Sequence, residues 1–220
     1  MTERLEHEIA YYYDFHPTEE DLMGETVVHD VLGRYLTDVL TALFDGQMCA
    51  VYHNLNFYYT PNWKEHPLAP DIAVIKGVDF RYVRSWRVGK TGPAPQVVLE
   101  VASEETWKKD LDEKPMKYAL IGVQEYFAYD PNEQPLLRDG QRLFGWRLDR
   151  ATRSMRALPL DPQGRLWSLH LESFLVPDKK YLRLYDSNGQ LRLTQAEAEK
   201  QRADALAEKL RSLGMDPDQI

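Results

Sequence analysis

Two short apolar runs constrain this chain more than any other feature: Pro70-Asp71-Ile72-Ala73-Val74-Ile75 and Gln96-Val97-Val98-Leu99-Glu100-Val101-Ala102. Each is rich in β-branched residues, follows proline and carries one acid among apolar neighbours, which marks two strands. A carboxylate inside such a run is costly to bury unless a cation or hydrogen bonds meet it. Two of them, on strands lying side by side, make a hard oxygen site suited to Mg²⁺.

At 220 residues the chain fits one domain with room for an appendage. Its 43% hydrophobic and 28% charged residues are ordinary for a soluble globular protein. Cys49 is the only cysteine, which excludes an internal disulfide framework and a cysteine zinc cluster and fits a reducing cytoplasm. The opening MTERLEHEIAYYYDF is acidic and lacks the order of a signal peptide. No apolar stretch approaches the roughly 20 residues of a membrane span. A cytoplasmic protein without membrane contact is expected. The net charge of −8 argues against a general nucleic-acid coat, but an acidic body can carry a locally basic cleft.

Residues 1–16 read as an edge strand or docked arm. Pro17-Thr18-Glu19-Glu20-Asp21 opens a helix, with a threonine cap and acids in the first turn. Val28, Val31, Leu32, Tyr35, Leu36, Val39, Leu40 and Leu43 continue it to about Phe44. Alternation over 49–59 gives a half-buried strand. After the Asp71 strand, 76–95 is a loop; after the Glu100 strand, a helix spans 112–121 with Asp112 as its cap and Pro115 third in it. Residues 125–131 form a buried strand and turn. Leu143–Leu148, Ser154–Leu160, Leu166–Leu171 and Tyr181–Tyr185 read as an antiparallel meander. Thr194-Gln195-Ala196-Glu197 is a capping box before a charged final helix. Its narrow Ala/Leu stripe suits either a partner helix or its own domain.

Pro70-Asp71, Leu99-Glu100-Val101-Ala102-Ser103, Asp110-x-x-x-Lys114-x-x-x-Tyr118, Gly122-Val123-x-Glu125-Tyr126-Phe127 and Asp130-Pro131 together resemble the Uma-two restriction endonuclease family, within the PD-(D/E)xK nuclease superfamily. The resemblance is strongest over 70–131. It implies a restriction-endonuclease-like mixed sheet flanked by helices, Mg²⁺ dependence and hydrolysis of phosphodiester bonds. Asp71 and Glu100, with the backbone carbonyl of Val101, would hold Mg²⁺, for which Mn²⁺ can substitute. The superfamily's lysine two residues after the glutamate is replaced here by Ala102. Lys114 matches the position this branch supplies from the following helix, while Lys108 and Lys109 are rivals in its approach. Lys114 would orient water and offset charge on the phosphate. His29 sits where a histidine recurs in the family pattern, and Glu25 lies four residues before it; both are candidates for the helix-borne position beside the metal. The bland reading is that Asp71 and Glu100 are strand-end acids paired with a lysine or arginine.

Between the two acids, Lys76, Arg81, Arg84, Arg87 and Lys90 face a single acid, Asp79, with Phe80, Tyr82 and Trp86 interleaved. Arginines for phosphates and aromatics for stacking suit a nucleic-acid loop; a solvated insertion is the alternative. His53 reads as a satisfied core histidine and Cys49 as a small core residue.

The expected architecture is α/β: a restriction-endonuclease-like domain over 1–190 (core 17–131, β-meander 136–186) with a C-terminal antiparallel extension, then a terminal helix over 191–220. The expected function is Mg²⁺-dependent DNA endonuclease. Its partners would be double-stranded DNA and a second copy of the chain. The alternatives are a non-catalytic nucleic-acid- or protein-binding module that keeps the fold, and a structural homo-oligomer whose acids are merely paired.

Overall fold

The computed structural model describes residues 27–60, 67–103, 106–132, 135 and 137–216. The N-terminal arm, the helix start at 17–21 and Glu25 lie outside the described residues. The elements in chain order are α1 (Val27–Leu43), β1 (Cys49–His53), β2 (Phe57–Tyr58), β3 (Ile72–Lys76), β4 (Trp86–Arg87), β5 (Val97–Val101), α2 (Trp107–Asp112), α3 (Lys114–Ile121), β6 (Glu125–Tyr129), β7 (Leu143–Asp149), β8 (Ser154–Ala157), β9 (Leu166–Ser168), β10 (Ser173–Asp178), β11 (Tyr181–Tyr185) and α4 (Gln195–Ser212).

Among the described residues, six strands form a mixed sheet in the order β1-β3-β5-β6-β7-β8. Only β5 and β6 run parallel, because α2 and α3 supply the crossover between them. Both faces of the sheet are covered, which is why β3 and β5 read as near-continuous apolar runs. One face, through Ile72, Val74, Val97, Leu99 and Val101, packs on Leu32, Leu36, Val39 and Leu40 of α1 and on leucines of a three-stranded sheet, β11-β10-β9. The other face meets Tyr118 and Ile121 of α3 through Val98, Tyr126 and Ala128. Over β1 and β3 it is covered by Phe57 and Trp86.

Several sequence expectations change. The 49–59 strand is split: Asn54 turns the chain at φ 53°, and β2 leaves the sheet to pair with β4. Tyr52, on the face a half-buried strand would turn to solvent, is buried because β2 and β4 lie over β1. The helix begins before 112 and is two helices. Glu113 separates α2 from α3, because Pro115, at the second position of α3 rather than the third, cannot continue α2: it lacks an N–H and its ring clashes with the carbonyl four residues back. Of the meander, β7 and β8 extend the central sheet. Only β9 to β11 stand apart, and β10 was not anticipated. It tolerates Pro177 because its pairing with β9 stops at Leu175, leaving Pro177 on an open edge. The capping box at Thr194 is present, yet no residue of α4 is buried.

The two sheets are tied by Glu125, a fully buried carboxylate at the start of β6. It accepts hydrogen bonds from the Arg147 guanidinium (2.9 Å), the Ser168 hydroxyl (2.5 Å) and the backbone N–H groups of Leu169 (3.0 Å) and His170 (3.1 Å). Glu125→Ala would strand these donors, so it should cost about 3 kcal/mol of unfolding free energy in urea melts. A loss under about 1 kcal/mol would mean the junction does not depend on it.

Candidate active site

The register of β3 and β5 builds the site. Ile72 pairs with Leu99, so one step further Asp71 stands opposite Glu100. The Asp71 N–H points at Glu100 Oε2 (3.4 Å), and the Val101 N–H donates to Asp71 Oδ2 (2.6 Å). Both acids are buried. From α1, His29 Nε2 lies 2.8 Å from Asp71 Oδ1. From the first turn of α3, Lys114 Nζ lies 3.1 Å from Glu100 Oε1 and 2.8 Å from Asp110 Oδ1. The structure thus brings together four of the residues singled out from sequence: Asp71, Glu100, Lys114 and His29. Lys108 and Lys109 are exposed, with Lys108 over the Trp107 ring.

Two further residues belong to the cluster. Asp110 is fully buried on α2 and also accepts from the Thr106 hydroxyl (3.0 Å). Tyr118 donates its hydroxyl to Glu100 Oε1. The signal for both was their spacing with Lys114, four residues to either side, which on one continuous helix would share a face; across the break at Glu113 they still converge on Lys114 and Glu100. Tyr118 stacks on Tyr126 (5.0 Å between ring centres), and Tyr126 on Trp146 (5.1 Å). The Tyr126 hydroxyl donates to the Asp110 carbonyl (2.9 Å). An aromatic column therefore holds Glu100 and the α2 backbone from below.

Three buried carboxylates compete for one ammonium. Burial by itself raises the pKa of Asp71, but the hydrogen bond and charge of His29 and the Val101 N–H bring it below the usual aspartate value. Burial also works against the Lys114 cation, yet Glu100 and Asp110 hold it charged. Burial raises Asp110. Glu100 is farther from Lys114 than Asp110 is, and burial pushes it up to about 8, with the charges of Asp71 and Asp110 adding to the rise and Lys114 opposing it.

The loop after β3 departs from expectation. Trp86 is fully buried, with its indole N–H on the Pro93 carbonyl (2.9 Å), so it offers no stacking surface. The Arg81 guanidinium lies over Trp86 (5.4 Å) and donates to the Thr91 carbonyl. Arg87 is half-buried, and Arg84 and Lys90 are exposed. Tyr82 is 97% exposed. The loop leaves β3 at Lys76, the end opposite Asp71, and none of its four basic candidates pairs with the carboxylate cluster among the described residues. His53 is half-buried with a buried, unpartnered Nε2 rather than a satisfied one. It packs against Gly33, where a Cβ would collide with that nitrogen.

An acid pair, a helix-borne lysine and a histidine thus meet at one end of the central sheet. A family model described as "Putative restriction endonuclease", Uma2, matches residues 5–173; the chain belongs to this family, which supports a nuclease. A crystal structure of a "putative nuclease belonging to DUF820" from Anabaena variabilis shares 14% identity over 68% of this chain and 76% of that chain, with a TM-score of 0.48. No curated protein matches. No helix among the described residues is long and apolar enough to cross a membrane.

The Glu100 pKa gives a signed prediction. Between about pH 4.3 and 8 the folded state keeps a proton that the unfolded chain has released, so its contribution to stability falls as pH rises. Glu100→Gln in EDTA should therefore melt higher than the wild type, by roughly 5 °C or more at pH 8 and by less at pH 5. A difference independent of pH between 5 and 8 would contradict the protonated Glu100.

Proposed function

We propose that the chain is a Mg²⁺-dependent endonuclease acting on double-stranded DNA as a homodimer, and that Asp71, Glu100 and the Val101 carbonyl bind the ion. The observation that carries this is the pair of carboxylates set face to face at the strand ends, with Lys114 reaching the same point from α3. Among the described residues no three acids, histidines or cysteines form a metal cage. Mg²⁺ keeps several waters and needs only one or two carboxylates, so this donor set fits it. When bound, the ion supplies charge that polarises a phosphate and lowers the pKa of water.

The protein's own groups do the rest. Lys114, kept charged by its acidic neighbours, places an ammonium beside the scissile phosphate to orient water and offset developing negative charge. Asp110 holds that ammonium from the side away from the substrate. His29 fixes the Asp71 carboxylate through Oδ1, leaving the lone pairs that the Val101 N–H does not use. Tyr118 fixes the rotamer of Glu100. Arg81, Arg84 and Lys90 are the basic residues of the 76–90 segment exposed for phosphate contact, with Arg81 also tied to the Thr91 carbonyl and Arg87 half-buried.

One observation favours the non-catalytic binding module: each oxygen of Asp71 and Glu100 already faces a donor from the chain itself. Titration with Mn²⁺ separates the two readings. A nuclease should bind Mn²⁺, lose binding in Asp71→Ala, and gain affinity as pH rises to about 8, because the cation displaces the Glu100 proton. Lys114→Ala should abolish cleavage while leaving Mn²⁺ binding intact. Absence of Mn²⁺ binding by the wild type at pH 8 would sink the nuclease reading and leave the binding module.

A further inference from the structure

The connection between β10 and β11 carries a lysine where hairpins favour glycine. Asp178 pairs with Tyr181, leaving Lys179 and Lys180 as a two-residue turn. Lys179 has φ 53°, a left-handed conformation that tight turns usually give to Gly, Asn or Asp.

The turn is also clamped from elsewhere in the fold. Tyr129, at the end of β6, donates its hydroxyl to the carbonyls of Tyr181 (2.9 Å) and Lys179 (3.4 Å). The Arg142 guanidinium donates to the Lys179 carbonyl, to the Tyr129 hydroxyl (2.7 Å) and to the Asp130 carbonyl (3.0 Å), while lying over the Tyr129 ring (5.3 Å). These bonds fix the backbone and leave both lysine side chains exposed. Neither lysine forms an ion pair among the described residues.

The clamp fixes where the turn sits. Tyr129 pairs with Val101, the neighbour of Glu100, so the turn is held at the same end of the central sheet as Asp71, Glu100 and Lys114. The loop at 76–90, by contrast, leaves β3 from its other end. Tyr129 lies on the strand next to that of Glu100, about 4.8 Å away, and its hydroxyl reaches from there to the turn. On a chain of net charge −8, two ammonium groups carried on a fixed turn at the sheet end that holds the buried acids suit an extended polyanion.

We infer that Lys179 and Lys180 form a backbone-phosphate contact that holds the DNA strand running across the Asp71–Glu100 site. This rests on the nuclease reading and adds to it the surface that seats the substrate. The contact is sequence-independent, because an ammonium meets phosphate as a point charge. It acts on long substrates only.

The test uses the full chain with Ca²⁺ in place of Mg²⁺, so that a 20-base-pair duplex binds without being cut. The variant is Lys179→Gly with Lys180→Gln, since glycine suits the left-handed turn and should keep or raise the melting temperature. The slope of log affinity against log salt should fall by about one to two units. Mn²⁺ affinity and Mg²⁺-dependent hydrolysis of bis(4-nitrophenyl) phosphate, too short to reach the turn, should stay at wild-type values. An unchanged slope, with the wild type binding duplex and hydrolysing the small ester, overturns the lysine contact and leaves the nuclease reading standing. A variant that also loses Mn²⁺ binding overturns it too, since the turn would then be shaping the acid site. A wild type that neither binds Mn²⁺ nor hydrolyses the ester removes the nuclease reading and this inference with it.

Discussion

The Lys114 ammonium sits between Glu100 and Asp110, and much of the surrounding structure follows from keeping it there. Three carboxylates cannot be buried against one another unless cations and hydrogen bonds offset the charge they would carry. Lys114 therefore has to arrive from outside the sheet, at the strand end where Asp71 and Glu100 face each other. The break at Glu113 lets it do so: α2 ends, α3 begins at Lys114, and the fixed φ of Pro115 stiffens the first turn. His29 takes one face of Asp71, Tyr118 takes Glu100, and the remaining imbalance falls on Glu100, which holds a proton near neutrality. Such a cluster costs stability by itself, and a divalent cation would relieve that cost.

The rest of the fold makes a rigid frame for this end of the sheet. Apolar packing on both faces holds β3 and β5 in register, so the two acids cannot slip apart without exposing the core. Polar clamps then fasten the second sheet to the first. Glu125 does this at the start of β6, and Tyr129 with Arg142 does it at the other end. A third clamp, Arg183 over the rings of Tyr35 and Tyr181 and 2.7 Å from Glu197, joins α1, β11 and the base of α4. Beyond that base no residue of α4 is buried, and Leu206 and Leu213 remain exposed.

Much of the site was legible in the residues themselves. An acid inside an apolar β-branched run announces its own cost, so Asp71 and Glu100 stood out at once. The Asp110–Lys114–Tyr118 spacing is visible too, although spacing alone does not show that Asp110 and Tyr118 close on Lys114 and Glu100. The loop at 76–90 was read less well. Its composition suggested arginines and aromatics for nucleic acid, but composition does not say which way a ring points. Trp86 turned inward because β1 and β3 needed a cover, and Arg81 followed it to lie over the indole. The split at Asn54 and the transfer of β7 and β8 to the central sheet were likewise invisible, since both depend on partners distant in sequence.

Apart from the helix-borne lysine, which followed from the family resemblance, the sequence by itself determined the α/β class, the two acid-bearing strands and the capped terminal helix. These rest on local rules: periodicity, turn chemistry and the penalty for burying charge. The tertiary structure alone decided that Glu100 rather than Asp71 keeps the proton, because Glu100 is buried beside two other carboxylates while a histidine arriving from another helix offsets the charge of Asp71. It alone decided which basic residues lie near the acids, because the direction in which each strand leaves the sheet is set by pairing between segments far apart in the chain.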